Sequence, residues 1–221
     1  MSILVVLLIL IVIGVVGWIW FTTRGTPVAD LVPVVAGVQK GNAETTVSAD
    51  LPQSFNRAEG IAFSYTGWIK INDFTVGYGE RRRIFSKADC PGLYIDSTSN
   101  SLDVAVKTYG TTETILVPNI PAQKWVHVAL VVDQQSIDIY INGMLRQHHT
   151  LTQMPDQTPD EPVRIGGGWD GLLAQLYYYP RILSSVEVHI LSQAVPVTEE
   201  DPKPSAPRYF DTTWYSGRYG V

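Results

Sequence analysis

The chain has 221 residues, 45% of them hydrophobic, and a formal charge of −5. A net-acidic chain whose longest basic run is Arg81-Arg82-Arg83 lacks the electrostatic footprint of a nucleic-acid binder. Its single cysteine, Cys90, excludes an intramolecular disulfide framework.

The first element is "ILVVLLILIVIGVVGWIWF", Ile3 to Phe21, nineteen residues without a charge. At about 1.5 Å per residue it is just long enough to cross a hydrocarbon core of about 30 Å. The two residues before it carry no basic charge, and bulky Trp18, Ile19, Trp20 and Phe21 fill the place where a signal peptide has its small cleavage residues. Residues 1–22 are therefore read as a retained single transmembrane helix, with Trp18 and Trp20 in the headgroup belt and Arg24 beyond. The expectation is a single-pass membrane protein in contact with the lipid bilayer through residues 3–21. The positive-inside rule turns its main domain to the cytoplasm.

Residues 23–46 are broken by Pro27, Pro33, Gly37 and Gly41 and read as an extended stalk, with one short strand around Leu31 to Val35. Over residues 47–195 the pattern becomes β-type. Strands are predicted in "IAFSYTGWIKIN", "RRRIFSK", "GLYIDST", "SLDVAVKTYG", "TETILVP", "WVHVALVVD", "SIDIYINGMLRQ", "PVRIGGG" and "LLAQLYYYP". Both faces of "WVHVALVVD" are apolar, which marks a central strand. Ile137, Ile139 and Ile141 alternate with Asp138, Tyr140 and Asn142, and Asn142-Gly143 supplies the positive φ of a tight hairpin turn. One helix is predicted in "LSSVEVHILSQ", capped by Ser184 or Ser185 with Glu187 in its first turn. Residues 196–221 form a proline-rich spacer followed by the aromatic tail "RYFDTTWYSGRYGV".

The segments "GWIKI", "RRRIFSK", "GLYID", "KWVHVALVVD", "SIDIYINGMLRQ" and "VRIGGGWDGLLAQLYYYPRILSSVEV" stand in the order found in LamG-like jelly-roll domains of the concanavalin A-like lectin and glucanase superfamily. The chain resembles that family over roughly residues 55–193. The resemblance implies an all-β, two-sheet antiparallel sandwich with one concave sheet, closed by the final strand-turn-helix.

Glucanases of this superfamily carry Glu-x-Asp-x-Glu on one strand, which sets two carboxylates about the scissile bond. Here Glu80, Glu113, Glu161 and Glu187 stand alone and Glu199-Glu200 lies in the tail, so no enzyme is expected. His127 has no visible Ser or Cys partner and reads as a sheet-face residue. His148 and His149 face opposite ways on a strand and cannot chelate together, which places them at a solvated strand end. Cys90 reads as a small turn-packing residue, and Arg81 to Arg83 as a solvated sheet edge. Related modules bind calcium through rim acids, and Asp73, Asp96 and Asp170 lie near predicted turns. Relatives often carry an acidic pair after "DGLI" where this chain has Ala174-Gln175, so no metal or other cofactor is assigned.

Two functions remain. In the first, a non-enzymatic, membrane-anchored module docks neighbouring proteins of a membrane-associated assembly, such as the capsid-to-membrane layer of a large-DNA-virus virion. Its partner-binding residues would be Arg208, Tyr209, Phe210, Trp214, Tyr215, Arg218 and Tyr219, because aromatic and arginine enrichment marks interface hot spots. The same tail could instead fold back on its own sandwich. In the second, the module is a lectin in which Trp169, Tyr78 or Tyr109, with Asp170 at the rim, stacks on and orients a glycan. Trp169 is read as either such a ring or a packing residue at the sheet edge.

Overall fold

The computed structural model describes residues 31–48, 51–52, 61–157 and 161–196. Twelve strands and one helix are found among them: β1 (Val32–Lys40), β2 (Thr45–Val47), β3 (Ala62–Asp73), β4 (Arg82–Ser86), β5 (Gly92–Ile95), β6 (Leu102–Lys107), β7 (Thr112–Val117), β8 (Trp125–Asp133), β9 (Ser136–Ile141), β10 (Met144–Thr150), β11 (Val163–Ile165), β12 (Asp170–Tyr179) and α1 (Ser185–Leu191). All pairings between neighbouring strands are antiparallel. Sheet A runs β1-β12-β3-β8-β9-β10 and sheet B runs β2-β11-β4-β5-β6-β7.

The core lies between the sheets. Phe63, Tyr65, Ile69 and Ile71 of β3 and Val126, Val128, Leu130 and Val132 of β8 meet Ile84, Phe85, Leu93, Val104 and Val106 of sheet B. Each fully buried aliphatic or aromatic side chain is worth about 1.5–3 kcal/mol over its exposed state, so this alternation is the main source of stability. Tyr65 stacks on Phe85 across the two sheets, with ring centroids 5.3 Å apart.

A smaller second cluster forms on the outer side of sheet A, where Ala129, Val131, Tyr140 and Tyr179 meet Leu183 and Val188. Ser184 caps α1 and Glu187 returns the bond in a capping box, as its Ser-x-x-Glu spacing allows. Arg181 pairs with Glu187 at 2.7 Å and fixes the turn into the helix.

Two expectations are corrected. Residues 32–46, read as stalk with one short strand around Leu31 to Val35, supply together with Val47 edge strands to both sheets: β1 pairs with β12 and β2 with β11. The arginine run is not at a sheet edge, because β4 lies between β11 and β5. Within it, Arg82 is only 2% exposed. Its guanidinium donates to the carbonyls of Phe74 (2.6 Å), Val76 (2.8 Å) and Asp96, pinning the β3–β4 loop to the β5–β6 turn. Alternation alone sends Arg82 inward and Arg81 and Arg83 outward. Among the described residues no helix is long and apolar enough to cross a membrane, and the run at 3–21 lies outside them.

Replacing Arg82 with Met leaves three loop carbonyls without their donor, a loss of about 2–4 kcal/mol. Urea unfolding of R82M should show this as a lower midpoint at an unchanged slope.

Candidate functional site

The residues singled out from sequence do not converge. Trp169 is fully buried in the main core, its ring occupying the space that a side chain on Gly41 would need. Its packing role therefore excludes the ring from a ligand. Asp170 begins β12 and accepts from Asn72 Nδ2 at 3.2 Å. Tyr78 is exposed in the loop after β3, at the same end of the sandwich as Asp170, with Gly77 beside Gly168. Tyr109 is exposed in the β6–β7 turn, at the opposite end. Arg208, Tyr209, Phe210, Trp214, Tyr215, Arg218 and Tyr219 lie outside the described residues.

The rim acids serve their own turns. Asp73 accepts from Thr75 N and Oγ1, and these bonds hold its carboxyl below the usual range. Asp96 does the same for Thr98 and Ser99. Among the described residues no cluster of three or more His, Cys, Asp or Glu is placed to hold a metal ion. His148 bonds Asp138 at 2.5 Å and His149 bonds Glu113 at 2.9 Å, on opposite faces of edge strand β10. Glu113 also accepts from Thr152 N and Oγ1, so it ties the β10 edge of sheet A to the β7 edge of sheet B. Burial pushes the Cys90 thiol up to about 12, which leaves it an unreactive packing group.

His127 is 1% exposed, with its ring edge-on to Trp68 at 5.1 Å between centroids and its Nδ1 without a hydrogen-bond partner. Burial lowers its pKa to about 4. A neutral, enclosed imidazole of this kind is a sheet-face residue rather than a base.

Among the described residues, an open polar groove of about 350 Å³ lies on the outer face of sheet B, lined by Arg83, Ser86, Ala88, Asp89, Tyr94, Glu161 and Arg164. Val163 and Ile165 point into the core, so Arg164 between them points out, opposite Ser86 in register. Arg83 stands opposite Tyr94 by the same alternation on β4 and β5. The β4–β5 turn carries Ala88 and Asp89 at φ of 50° and 58°, which brings the Asp89 carboxylate back over β5. Gly92 makes this possible, because a Cβ there would sit 2.6 Å from both Asp89 Oδ1 and the Tyr94 ring.

Asp89 Oδ1 accepts from Ser86 Oγ at 3.0 Å and from the Tyr94 hydroxyl. Burial, and next the bond to Asp89, raises the Tyr94 pKa, so the phenol remains a donor. The Arg81 guanidinium sits over the Tyr94 ring, 3.7 Å from its centroid, so that face of the ring is already covered. Arg83 pairs with Glu44 at 2.8 Å, while the Arg164 side chain makes no ion pair or hydrogen bond with another described residue. The groove thus holds a preset acceptor, Asp89, with Arg164 and the Glu44-paired Arg83 in its lining. Sequence reading did not single out Ser86, Asp89, Tyr94 or Arg164. Only the outward phase of Arg164 and of Arg83 in two short strands could have marked them.

Two six-stranded antiparallel sheets packed face to face define an all-β sandwich of the jelly-roll kind. The chain belongs to the laminin G 3 family of the concanavalin A-like lectin/glucanases superfamily, whose model matches residues 40–189. Among solved structures it is similar to the receptor binding domain of botulinum neurotoxin D, with a TM-score of 0.58 and 14% identity over 71% of this chain and 43% of that one. The botulinum neurotoxin serotype D ligand binding domain in complex with N-acetylneuraminic acid gives a TM-score of 0.53 and 15% identity over 72% and 46%. The binding domain of Paraclostridial Mosquitocidal Protein 1 gives a TM-score of 0.51 and 16% identity over 71% and 47%. The chain thus spans less than half the length of these structures, and the likeness is one of fold. No curated protein matches the chain.

Below its unfolded-state value of 6.5 an exposed His127 would bind a proton, while the folded side chain resists protonation down to about 4. The unfolded state therefore holds the extra proton in that window, and stability falls as pH drops from 6.5 to 4, by about 3 kcal/mol in total. In H127F, thermal unfolding at successive pH values should lose this slope while keeping the carboxylate transition at lower pH.

Proposed function

We propose that this chain is a non-enzymatic recognition domain that binds saccharide hydroxyls in the groove on the outer face of sheet B. The observation that carries it is the Ser86-Asp89-Tyr94 hydrogen-bonded set in one groove with Arg164 and Arg83. Asp89 Oδ2 can accept from one sugar hydroxyl, and the guanidiniums donate to neighbouring oxygens. Two cations against Asp89 and Glu161 favour a neutral polyol over a strongly anionic one. Because Arg81 covers Tyr94, recognition here relies on hydrogen bonds rather than on ring stacking.

Membership of the concanavalin A-like superfamily and the likeness to receptor and ligand binding domains support a binding role. Tethering of this head to a bilayer through residues 3–21, with the domain on the cytoplasmic side or in a virion membrane, is part of the proposal and rests on the sequence alone. Docking of neighbouring proteins through residues 208–221 is the alternative, and it rests on composition.

On a glycan array the protein should give a discrete set of signals. D89N and R164A should each weaken them at least tenfold, while Y78A and D170N at the rim leave them unchanged. An array at background sinks the lectin reading, and losses in the rim variants alone would move the site.

A further inference from the structure

The exposed apolar side chains gather around α1. Val186 and Ile190 of the helix are 66% and 62% exposed, Leu145 of β10 54% and Val195 52%. Val186 and Ile190 lie one turn apart, on the helix face opposite Val188, which is buried against sheet A. Leu145 stands opposite Tyr140 in register, and Tyr140 belongs to the cluster beneath α1, so Leu145 shares that face of the sheet. The end of α1 meets the β9–β10 turn, where a side chain on Gly143 would run into His189 and Ser192. The exposed positions from Ser184 to Val195 hold no Asp, Glu, Lys or Arg, and Glu187 is clasped by Arg181. An apolar and uncharged surface that extends from a helix to a neighbouring strand edge marks a contact with another apolar phase.

The connectivity of the chain says which phase. Leu31 packs with Tyr179 and Leu183 in the cluster at the foot of α1. Nine residues, 22–30, separate it from the uncharged run Ile3 to Phe21, and nine residues reach about 32 Å at most. The domain therefore joins its most hydrophobic segment through the side of the molecule that α1 occupies.

We propose that the ridge of Val186, Ile190, Val195 and Leu145 rests in the interfacial layer of the bilayer that residues 3–21 enter. The proposal builds on the tethering reading above and adds an orientation to it. Apolar side chains at this depth displace water from between the headgroups, as the apolar face of an interfacial helix does. Sheet A then faces the membrane. The groove on the outer face of sheet B points away from it, open to a ligand.

Fluorescence quenching of the full chain in single-copy nanodiscs of phosphatidylcholine tests this. Cys90 is buried with its thiol pushed up to about 12, so V186C, I190C and L116C can each be labelled selectively with bimane. Leu116 is the control: it is 49% exposed and points outward from sheet B between core residues Ile115 and Val117. A lipid with a doxyl group near its headgroup should quench the labels at 186 and 190 at least threefold more than the label at 116. Adding I190E to V186C should cut the quenching at 186 at least twofold while the chain still floats with liposomes. Equal quenching at all three sites, or none, in a chain that floats overturns this proposal and leaves the anchor standing. A chain that does not float overturns the anchor and this proposal together. Labels at 186 and 190 that are blue-shifted but unquenched reveal a protein cover, a second copy or another chain, and overturn it as well.

Discussion

Sheet A is buried on both faces along its centre, and the rest of the molecule is arranged around that constraint. Eight consecutive residues of β3, Ala62 to Ile69, are buried, as are the seven central residues of β8. A strand of this kind needs a second sheet on one side and a cover on the other, because water cannot solvate either row of apolar side chains. Sheet B provides the first. The Arg181–Glu187 clasp, the Ser184 cap and α1 provide part of the second. The Arg181 guanidinium, and after it the capping-box bonds from Ser184, hold the Glu187 carboxyl down at about 2, so the clasp stays ionised well into acid.

This closure decides where recognition can occur. The outer face of sheet A is occupied by packing, and the rim loops are fastened by their own aspartates and by Arg82. Sheet B keeps polar side chains on its outer face, where Arg83, Ser86, Tyr94 and Arg164 line the groove. The groove arises where Gly92 removes a side chain, the left-handed pair Ala88–Asp89 folds a carboxylate over the gap, and two arginines from neighbouring strands flank it. The same β4 strand sends Arg82 into the interior to organise the loops. One run of three arginines thus serves two faces of one sheet.

Much of the fold could be read in the sequence. The strands from β3 to β12, the central position of β8, the Asn142-Gly143 turn and the Ser184 cap were all legible, because each depends on a period or a local hydrogen-bonding preference. The order of the segments carried the family. β2 was not legible and β1 only over Leu31 to Val35, since a proline and two glycines lie in residues 33–41 and edge strands tolerate them where central strands do not. The sheet position of "RRR" was missed for a related reason: polarity suggested an edge, while pairing with β11 and β5 made β4 internal.

What the sequence by itself determined is the sandwich, its core face and the lack of a glucanase motif, because alternation and motif spacing act within a few residues. What only the tertiary structure decided is the site. Trp169 went into the core because the chain at Gly41 leaves room for its ring, and Asp89 and Arg164 line one groove because antiparallel pairing set β11 beside β4, far apart as they are along the chain. Such encounters depend on register across strands, and no local pattern encodes register between segments separated by some eighty residues.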